Sequence, residues 1–532
     1  MNRRRFVISA FCFLLFAFGL LAENHMELIW QQEGEFINSQ YGFSLAAIDF
    51  NGDGIDDLVV GSPRWNNTGA PGSFNQGKIY FYFGGTDFDT IPDLTIDGSQ
   101  NNFNSRYGDH IVNLHDVNGD GYEDLGIIRK DHWESNILAY IDIYYGGPDN
   151  DLIPDFTYTI YENNVYKIDS FYSLGDINGD GYEDAGFATV SSFPENINCF
   201  YIVYGNDNPD VVYWNTIGKN SPAIRGIGNI NNDTYDDFLV SFKDPVTELK
   251  HNVVVYGNTV IDTTLTDTLY SQTGITFLSG GAFAGDFNGD GTDDFIGCWG
   301  VENGTALWFG SDNLSENYDV QLSAWSNGNK SFGFGDFNND GYSDIVLGNP
   351  VWSNDQGKAY FFMGSANANG SIDLDIPCPA IVGTKFGTSV AVGDFNDDGY
   401  DDVAIGAPDD GFPIHEGKVY VYAGNDSLAE TTPVGINEDK IPATGGIEFN
   451  AYPNPFNPTV NFEITAEGYN NLQIEIFNVK GQKVDSLPVI LSGVEGSITW
   501  NAEQHASGVY YCKLTNVETK KQLAVQKVTL LK

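Results

Sequence analysis

Seven nine-residue segments rich in carboxylates recur along this chain of 532 residues. They read DFNGDGIDD from Asp49, DVNGDGYED from Asp116, DINGDGYED from Asp176, NINNDTYDD from Asn229, DFNGDGTDD from Asp286, DFNNDGYSD from Asp336 and DFNDDGYDD from Asp394. Side-chain oxygens fall at positions 1, 3, 5 and 9, and Gly at position 6 permits the sharp turn that converges them. Position 7 can offer its backbone carbonyl, so its side chain is read as interchangeable. Several hard oxygens on one flexible loop are the donor set that Ca²⁺ prefers, whereas Mg²⁺ wants a smaller octahedron and keeps its waters.

The expected donors are Asp49, Asn51, Asp53, Ile55 and Asp57 in the first copy and Asp116, Asn118, Asp120, Tyr122 and Asp124 in the second. The third offers Asp176, Asn178, Asp180, Tyr182 and Asp184, and the fifth Asp286, Asn288, Asp290, Thr292 and Asp294. The sixth offers Asp336, Asn338, Asp340, Tyr342 and Asp344, and the seventh Asp394, Asn396, Asp398, Tyr400 and Asp402. The fourth keeps Asn231, Asp233 and Asp237, but Asn229 replaces an acid and Thr234 replaces the turn glycine, so it is expected to be weak or empty. Up to seven Ca²⁺ ions are therefore expected. The first part of each loop resembles an EF-hand loop without its closing Glu, since Val60 stands at position 12 of the first copy. The acid at position 9 would have to close the site, which places the loop between two strands. A single such cluster reads equally well as a solvated turn; seven in register favour calcium.

Charge supports the same assignment. Asp plus Glu number 73 against 25 Lys plus Arg, a formal charge of −48, and nearly all the excess lies in the repeat region. A chain so acidic repels phosphate backbones, so no nucleic-acid partner is expected. With 41% hydrophobic and 14% aromatic residues it is nonetheless a folding sequence.

Successive copies begin between 50 and 67 residues apart, enough for one four-stranded sheet with its loops. Each loop is flanked by short apolar runs, followed by an aromatic alternation such as GKIYFYFGG from Gly77 and a further extended segment such as PDLTID from Pro92. The expected fold is all-β, with a seven-bladed β-propeller over residues 23–424. The last repeat lacks a fourth strand, and Glu27 to Gln31 are expected to supply it. Residues 425–446 read as a polar linker, and 447–532 as a small immunoglobulin-like β-sandwich.

At the N-terminus, Arg3-Arg4-Arg5 precede an apolar run from Phe6 to Leu21, so residues 1–22 read as a signal peptide, with an uncleaved anchor as the alternative. Of the cysteines at 12, 199, 298, 378 and 512, the first is expected to leave with the signal peptide, and the other four are isolated, expected to be buried small apolar groups and not zinc ligands.

Copies one, six and seven add Tyr41-Gly42 or Phe386-Gly387 ahead of the loop, then GSP from Gly61, GNP from Gly348 or GAP from Gly406, then GKxYxY. This pattern resembles the FG-GAP repeat of the propeller at the head of integrin α subunits and of bacterial extracellular proteins. The resemblance implies calcium at Asp49, Asn51, Asp53, Asp57 and their counterparts, and a ligand-binding or adhesive role toward an extracellular protein or glycan. Copies two to five lack the GAP element. At the other end YPNPFNP from Tyr452, IEIFNVKGQKV from Ile474 and ITWNAEQHASGVYYCKL from Ile498 resemble a type A C-terminal sorting domain of type IX secretion. That resemblance implies contact with the secretion machinery and a secreted or outer-surface location in a diderm bacterium. Read without it, the segment is a plain immunoglobulin-like module.

No GxSxG, HExxH, phosphate-loop or GxGxxG motif occurs, and the seven His are dispersed. An extracellular polysaccharide-active enzyme, a glycoside hydrolase or lyase, is the alternative function, its carboxylates hidden among the loops. The binding reading has one positional clue: Trp65, Trp133, Phe193, Trp352 and Phe412 follow the ninth loop position by 8 to 10 residues. They are expected either to emerge together on the face opposite the metal loops, as a ligand surface, or to pack between neighbouring blades.

Overall fold

A computed structural model describes residues 25–428 and 447–532. Within these ranges it omits 67–74, 99–104, 134–135, 149–150, 161–164, 192–197, 217–222, 244–249, 262–267, 273–280, 300–303, 312–313, 315–316, 325–330, 381–382, 410–415, 453–455, 467–471, 479–482, 490–494 and 518–521. The expected signal peptide at 1–22 lies outside the described residues, as does most of the expected linker. Strands dominate, and one four-residue helical turn, Trp352–Asp355, is the sole helix among the described residues. The chain divides into two compact units, Met1–Thr431 and Thr432–Lys532, and the division falls inside the segment read as a linker.

Among its described residues the first unit contains seven four-stranded antiparallel sheets, one for each repeat. Sheet one illustrates the plan: Ser44–Ile48 pairs with Asp57–Ser62, which pairs with Lys78–Tyr82, which pairs with Leu94–Asp97. The metal-type loop joins the first strand to the second. Sheets two to six repeat this order, each drawing four consecutive strands.

Sheet seven is assembled differently. Ser389–Gly393, Asp402–Ala407 and Lys418–Ala423 are consecutive, and the fourth strand is Glu27–Glu33 from the start of the chain. It runs antiparallel to Lys418–Ala423, from Glu27 opposite Ala423 to Glu33 opposite Lys418. The N-terminal segment thus sits where the last repeat lacks a strand.

Burial explains why the second strand of each repeat is a continuous apolar run. In Asp57–Ser62 all six residues are buried, because alternate side chains enter different cores. Leu58, Val60, Tyr80 and Tyr82 pack with Ala404, Val419 and Val421 of sheet seven. Val59, Ile79 and Phe81 pack with Ile111, Leu125 and Ile127 of sheet two. The first strands of successive sheets are in contact throughout: Ser44–Ile48, Ile111–His115, Val165–Gly175, Ala223–Gly228, Gly281–Gly285, Ser331–Gly335 and Ser389–Gly393, the last meeting the first again. No sheet closes on itself, and the arrangement with its repeats fits a propeller.

The second unit has a three-stranded sheet, Ile447–Tyr452, Thr459–Ala466 and Glu495–Asn501, and a four-stranded sheet. In the latter Leu472–Asn478 lies between Lys483–Val489 and Gly508–Asn516, and Gln522–Leu530 forms the far edge. One core serves both, with Phe449, Phe462 and Trp500 from the first and Ile474, Cys512 and Val528 from the second. Cys199, Cys378 and Cys512 are buried, as expected of small apolar groups; burial pushes the Cys512 thiol well above its ordinary pKa.

Candidate functional site

All seven loops lie within the described residues, and each is pinned at position 2 by an apolar side chain that is 1% exposed or less: Phe50, Val117, Ile177, Ile230, Phe287, Phe337 and Phe395. With that anchor, position 1 is half-buried, position 5 exposed and position 9 shut from water in every copy. The carboxylates therefore form a graded mouth, open at position 5 and closed at its floor.

The position 1 carboxylate organises the turn. In the first copy Asp49 Oδ1 accepts the N–H groups of Gly52 at 2.9 Å and Asp53 at 3.0 Å, and Oδ2 accepts that of Gly54 at 2.9 Å. Asn51 Oδ1 accepts the Asp53 N–H at 2.8 Å, and Asp53 Oδ1 that of Ile55 at 3.0 Å. Gly at position 6 is in the left-handed region in all six copies that have it, with φ between 87° and 91°. In the fourth copy Asn229 Oδ1 still accepts the Asp233 N–H, but Asn229 Nδ2 donates to the Asp233 carbonyl. Thr234 does not take the positive φ. An amide has only one acceptor oxygen to offer, so this loop loses the bond to position 6 along with a negative charge.

Position 9 has a second role that the sequence reading did not foresee. One oxygen of each of these seven aspartates accepts the N–H of a glycine one or two residues beyond the third strand of the same sheet. The distances are 2.9 Å from Gly84 to Asp57, 3.0 Å from Gly146 to Asp124, 2.9 Å from Gly205 to Asp184 and 2.8 Å from Gly257 to Asp237. They are 2.9 Å from Gly310 to Asp294, 2.7 Å from Gly364 to Asp344 and 3.1 Å from Gly424 to Asp402. The recurring Gly after each aromatic alternation was the visible signal. Burial pushes these carboxyls up, to about 7 at Asp57, Asp237 and Asp294 and about 8 at Asp124, Asp184, Asp344 and Asp402, against the pull of the backbone N–H groups.

Position 8 was also missed. Its acid reaches the preceding repeat and accepts the N–H of that loop's first residue: Glu123 from Asp49 at 2.9 Å, Asp236 from Asp176 at 2.9 Å and Asp293 from Asn229 at 2.8 Å. Asp401 accepts from Asp336 at 2.7 Å, and Asp56 from Asp394 at 3.0 Å. The two remaining junctions use backbone alone, Glu183 N–H to the Asp116 carbonyl and Ser343 N–H to the Asp286 carbonyl, both at 3.1 Å. Every loop is thereby tied to the next.

Position 7 proves less interchangeable than its varied residues suggested. The rings of Tyr122, Tyr182, Tyr235 and Tyr342 lie over the position 4 glycines of the preceding loops, where a Cβ on Gly52, Gly119, Gly179 or Gly289 would approach the ring within 2.5 Å. The three copies without Gly at position 4 have Asn232, Asn339 and Asp397 there, all left-handed.

Among the described residues no three acidic, His or Cys groups are gathered closely enough to hold a metal ion. The donor chemistry nevertheless fits one: Asp184 Oδ2, Asp402 Oδ2 and Asn396 Oδ1 are buried oxygens without a hydrogen-bond partner.

The aromatic residues divide. Trp65 does not emerge: it is 6% exposed, its Nε1 donates to Glu35 Oε2 at 3.0 Å, and it tilts against Phe36. Trp352 is half-buried beneath the Lys358 ammonium, 4.5 Å from the ring centroid. Trp133 ends a strand opposite Asn136, while Phe193 and Phe412 lie outside the described residues. A shared exposed aromatic face is therefore not formed by Trp65.

Comparison with known proteins places the repeats. Residues 41–82, 329–362 and 386–422 match the FG-GAP repeat, the same three copies that carry the fuller pattern. The chain carries FG-GAP repeats. Residues 450–528 match the secretion system C-terminal sorting domain, which points to export by type IX secretion and a secreted or surface location. Integrin alpha-4 of Xenopus laevis is 26% identical over 176 residues, 32% of this chain and 16% of that protein. Integrin alpha-6 of Gallus gallus is 39% identical over 114 residues, 20% of this chain and 10% of that protein. The phosphatidylinositol-glycan-specific phospholipase D of Mus musculus is 38% identical over 101 residues, 17% of this chain and 12% of that protein. The FG-GAP chain thus spans less than a fifth of the length of these relatives. Among its described residues no helix is long and apolar enough to cross a membrane.

Proposed function

We propose that this chain is a secreted, calcium-binding seven-bladed propeller that acts as a ligand-binding or adhesion module. In this reading its C-terminal unit is an immunoglobulin-like sorting sandwich, used for type IX export and then removed. The observation that carries the reading is the repetition of one loop geometry: an organised turn, an exposed carboxylate at position 5 and a buried one at position 9, repeated across the seven sheets. Bound calcium would sit among positions 1, 3, 5 and 9 with the position 7 carbonyl, and would neutralise carboxylates that otherwise repel one another. The integrin relatives support a binding role, and the spread of the carboxylates over metal-type loops supports it over the enzymatic alternative.

The test is metal analysis and thermal melting of the full secreted chain, with calcium and after chelation. Six ions per chain and a large loss of melting temperature on chelation are expected, the fourth loop being empty. A chain that holds no calcium and melts unchanged after chelation sinks the reading.

A further inference from the structure

A cavity of about 760 Å³ runs between the first strands of the seven sheets, a volume in the range of small-molecule sites. Its wall is unequal. Phe283 and Phe334 meet edge to face, ring centroids 4.5 Å apart, and Phe334 is 41% exposed although it lines a channel. On the strand adjoining that of Phe283 stands Arg225, four residues before the first position of its loop, as Tyr172 and Phe332 stand before theirs. The guanidinium lies 3.8 Å from the Tyr172 ring centroid and donates from Nη2 to the Tyr172 hydroxyl at 2.8 Å. His110 abuts the same ring edge-on.

Arg225 is conspicuous by its company. Arg106 pairs with Asp109, Arg129 with Asp142, Lys78 with Glu35, Lys358 with Asp375, Lys385 with Asp409 and Lys418 with Glu33. In a chain with almost three acids for every base, Arg225 has no carboxylate partner among the described residues, and its Nε has no hydrogen-bond acceptor. A planar guanidinium without an acid partner suits a carboxylate. Towards the loop end the same cavity is lined by Glu183, Asp236 and Asp293, which accept hydrogen bonds from hydroxyl groups but repel a second anion. A ligand matching all three features has one carboxylate, several hydroxyls and a flat apolar face.

We propose that this channel binds a sugar acid with a single carboxylate, its carboxylate on Arg225 and its ring against Phe334. This rests on the ligand-binding reading above and names its ligand class.

The test is calorimetric titration of the calcium-equilibrated full chain with galacturonate, glucuronate, neutral galactose and acetate. The uronates are expected to bind at least tenfold tighter than the neutral sugar and acetate. Arg225→Gln should weaken uronate binding at least tenfold, Phe334→Ala several-fold, and Arg64→Gln, at an exposed position outside the channel, not at all. If Arg225→Gln melts early, Arg225→Lys keeps the charge and removes the fork, and the same loss is expected. Equal binding of neutral and acidic sugars, or undiminished uronate binding by Arg225→Lys and Phe334→Ala, overturns the channel assignment and leaves a binding role elsewhere standing. No uronate binding by a calcium-loaded, folded chain also overturns it, whereas failure to take up calcium is the separate failure of the wider reading.

Discussion

Asp57 and its six counterparts are shut from water beside other carboxylates, which makes proton and calcium rivals for the same oxygens. Without metal these carboxyls stay protonated to about pH 7 or 8, whereas unfolded carboxyls release their protons near pH 4 (~3.9 for Asp). Between those limits the folded chain binds more protons than the unfolded one, so its stability falls as pH rises. Calcium requires the charged form, so a loaded site holds no proton to lose and the slope flattens. We expect the melting temperature of chelated protein to fall from pH 5 to pH 8 and that of calcium-loaded protein to stay level; parallel curves would count against the coupling. Asp184→Ala should strip the Gly205 N–H of its acceptor and cost about 1–3 kcal/mol in chemical denaturation even without metal. At this scale the residue types and spacing of the loops were legible in the sequence, and so were the missing acid and glycine of the fourth. It did not disclose that position 8 acids grip the neighbouring repeat, because that contact joins Asp56 to Asp394, 338 residues apart, and nothing local marks it.

The strand Glu27–Glu33 shows how far pattern alone reaches. An absent fourth strand at one end and a spare extended segment at the other implied the pairing, since an open edge beside an unpaired strand is a matched vacancy. Trp30 gives it grip: the side chain is 5% exposed, stacks on Phe88 and donates from Nε1 to the Asp89 carbonyl at 2.6 Å. Trp30→Ala should therefore cost about 3–5 kcal/mol, read by denaturant titration. Loss of residues 26–32 should lower the melting temperature further; an unchanged value would mean the strand contributes nothing to sheet seven. Trp65 was the less legible element. Its spacing placed it after the second strand, but only the fold brings Glu35 and Phe36 over it, so an apparent surface residue is core.

For the molecule as a whole, the C-terminal unit has its own core and carries the sorting match. Removing residues 447–532 should leave the repeats folded and trap them inside the producing cell, which fractionation and immunoblotting would show; undiminished export would mean the tail is not the address. The loop ties, taken together, mean that each repeat leans on both neighbours, so damage in one is felt around the set. The seam in sheet seven adds a mechanical consequence. Lys418–Ala423 lies between Asp402–Ala407 and the N-terminal strand, and it is the last strand before the chain leaves this unit. Tension arriving from the C-terminal side would first meet buried Leu428, whose carbonyl accepts from Asn338 Nδ2, and then Asn425, whose side chain donates to the His25 carbonyl and whose N–H donates to that of Phe337. Past that clamp the load would pull on a strand flanked on both sides. The beginning of the chain thus serves as a fastening for its end, and its removal should lower the rupture force in single-molecule pulling.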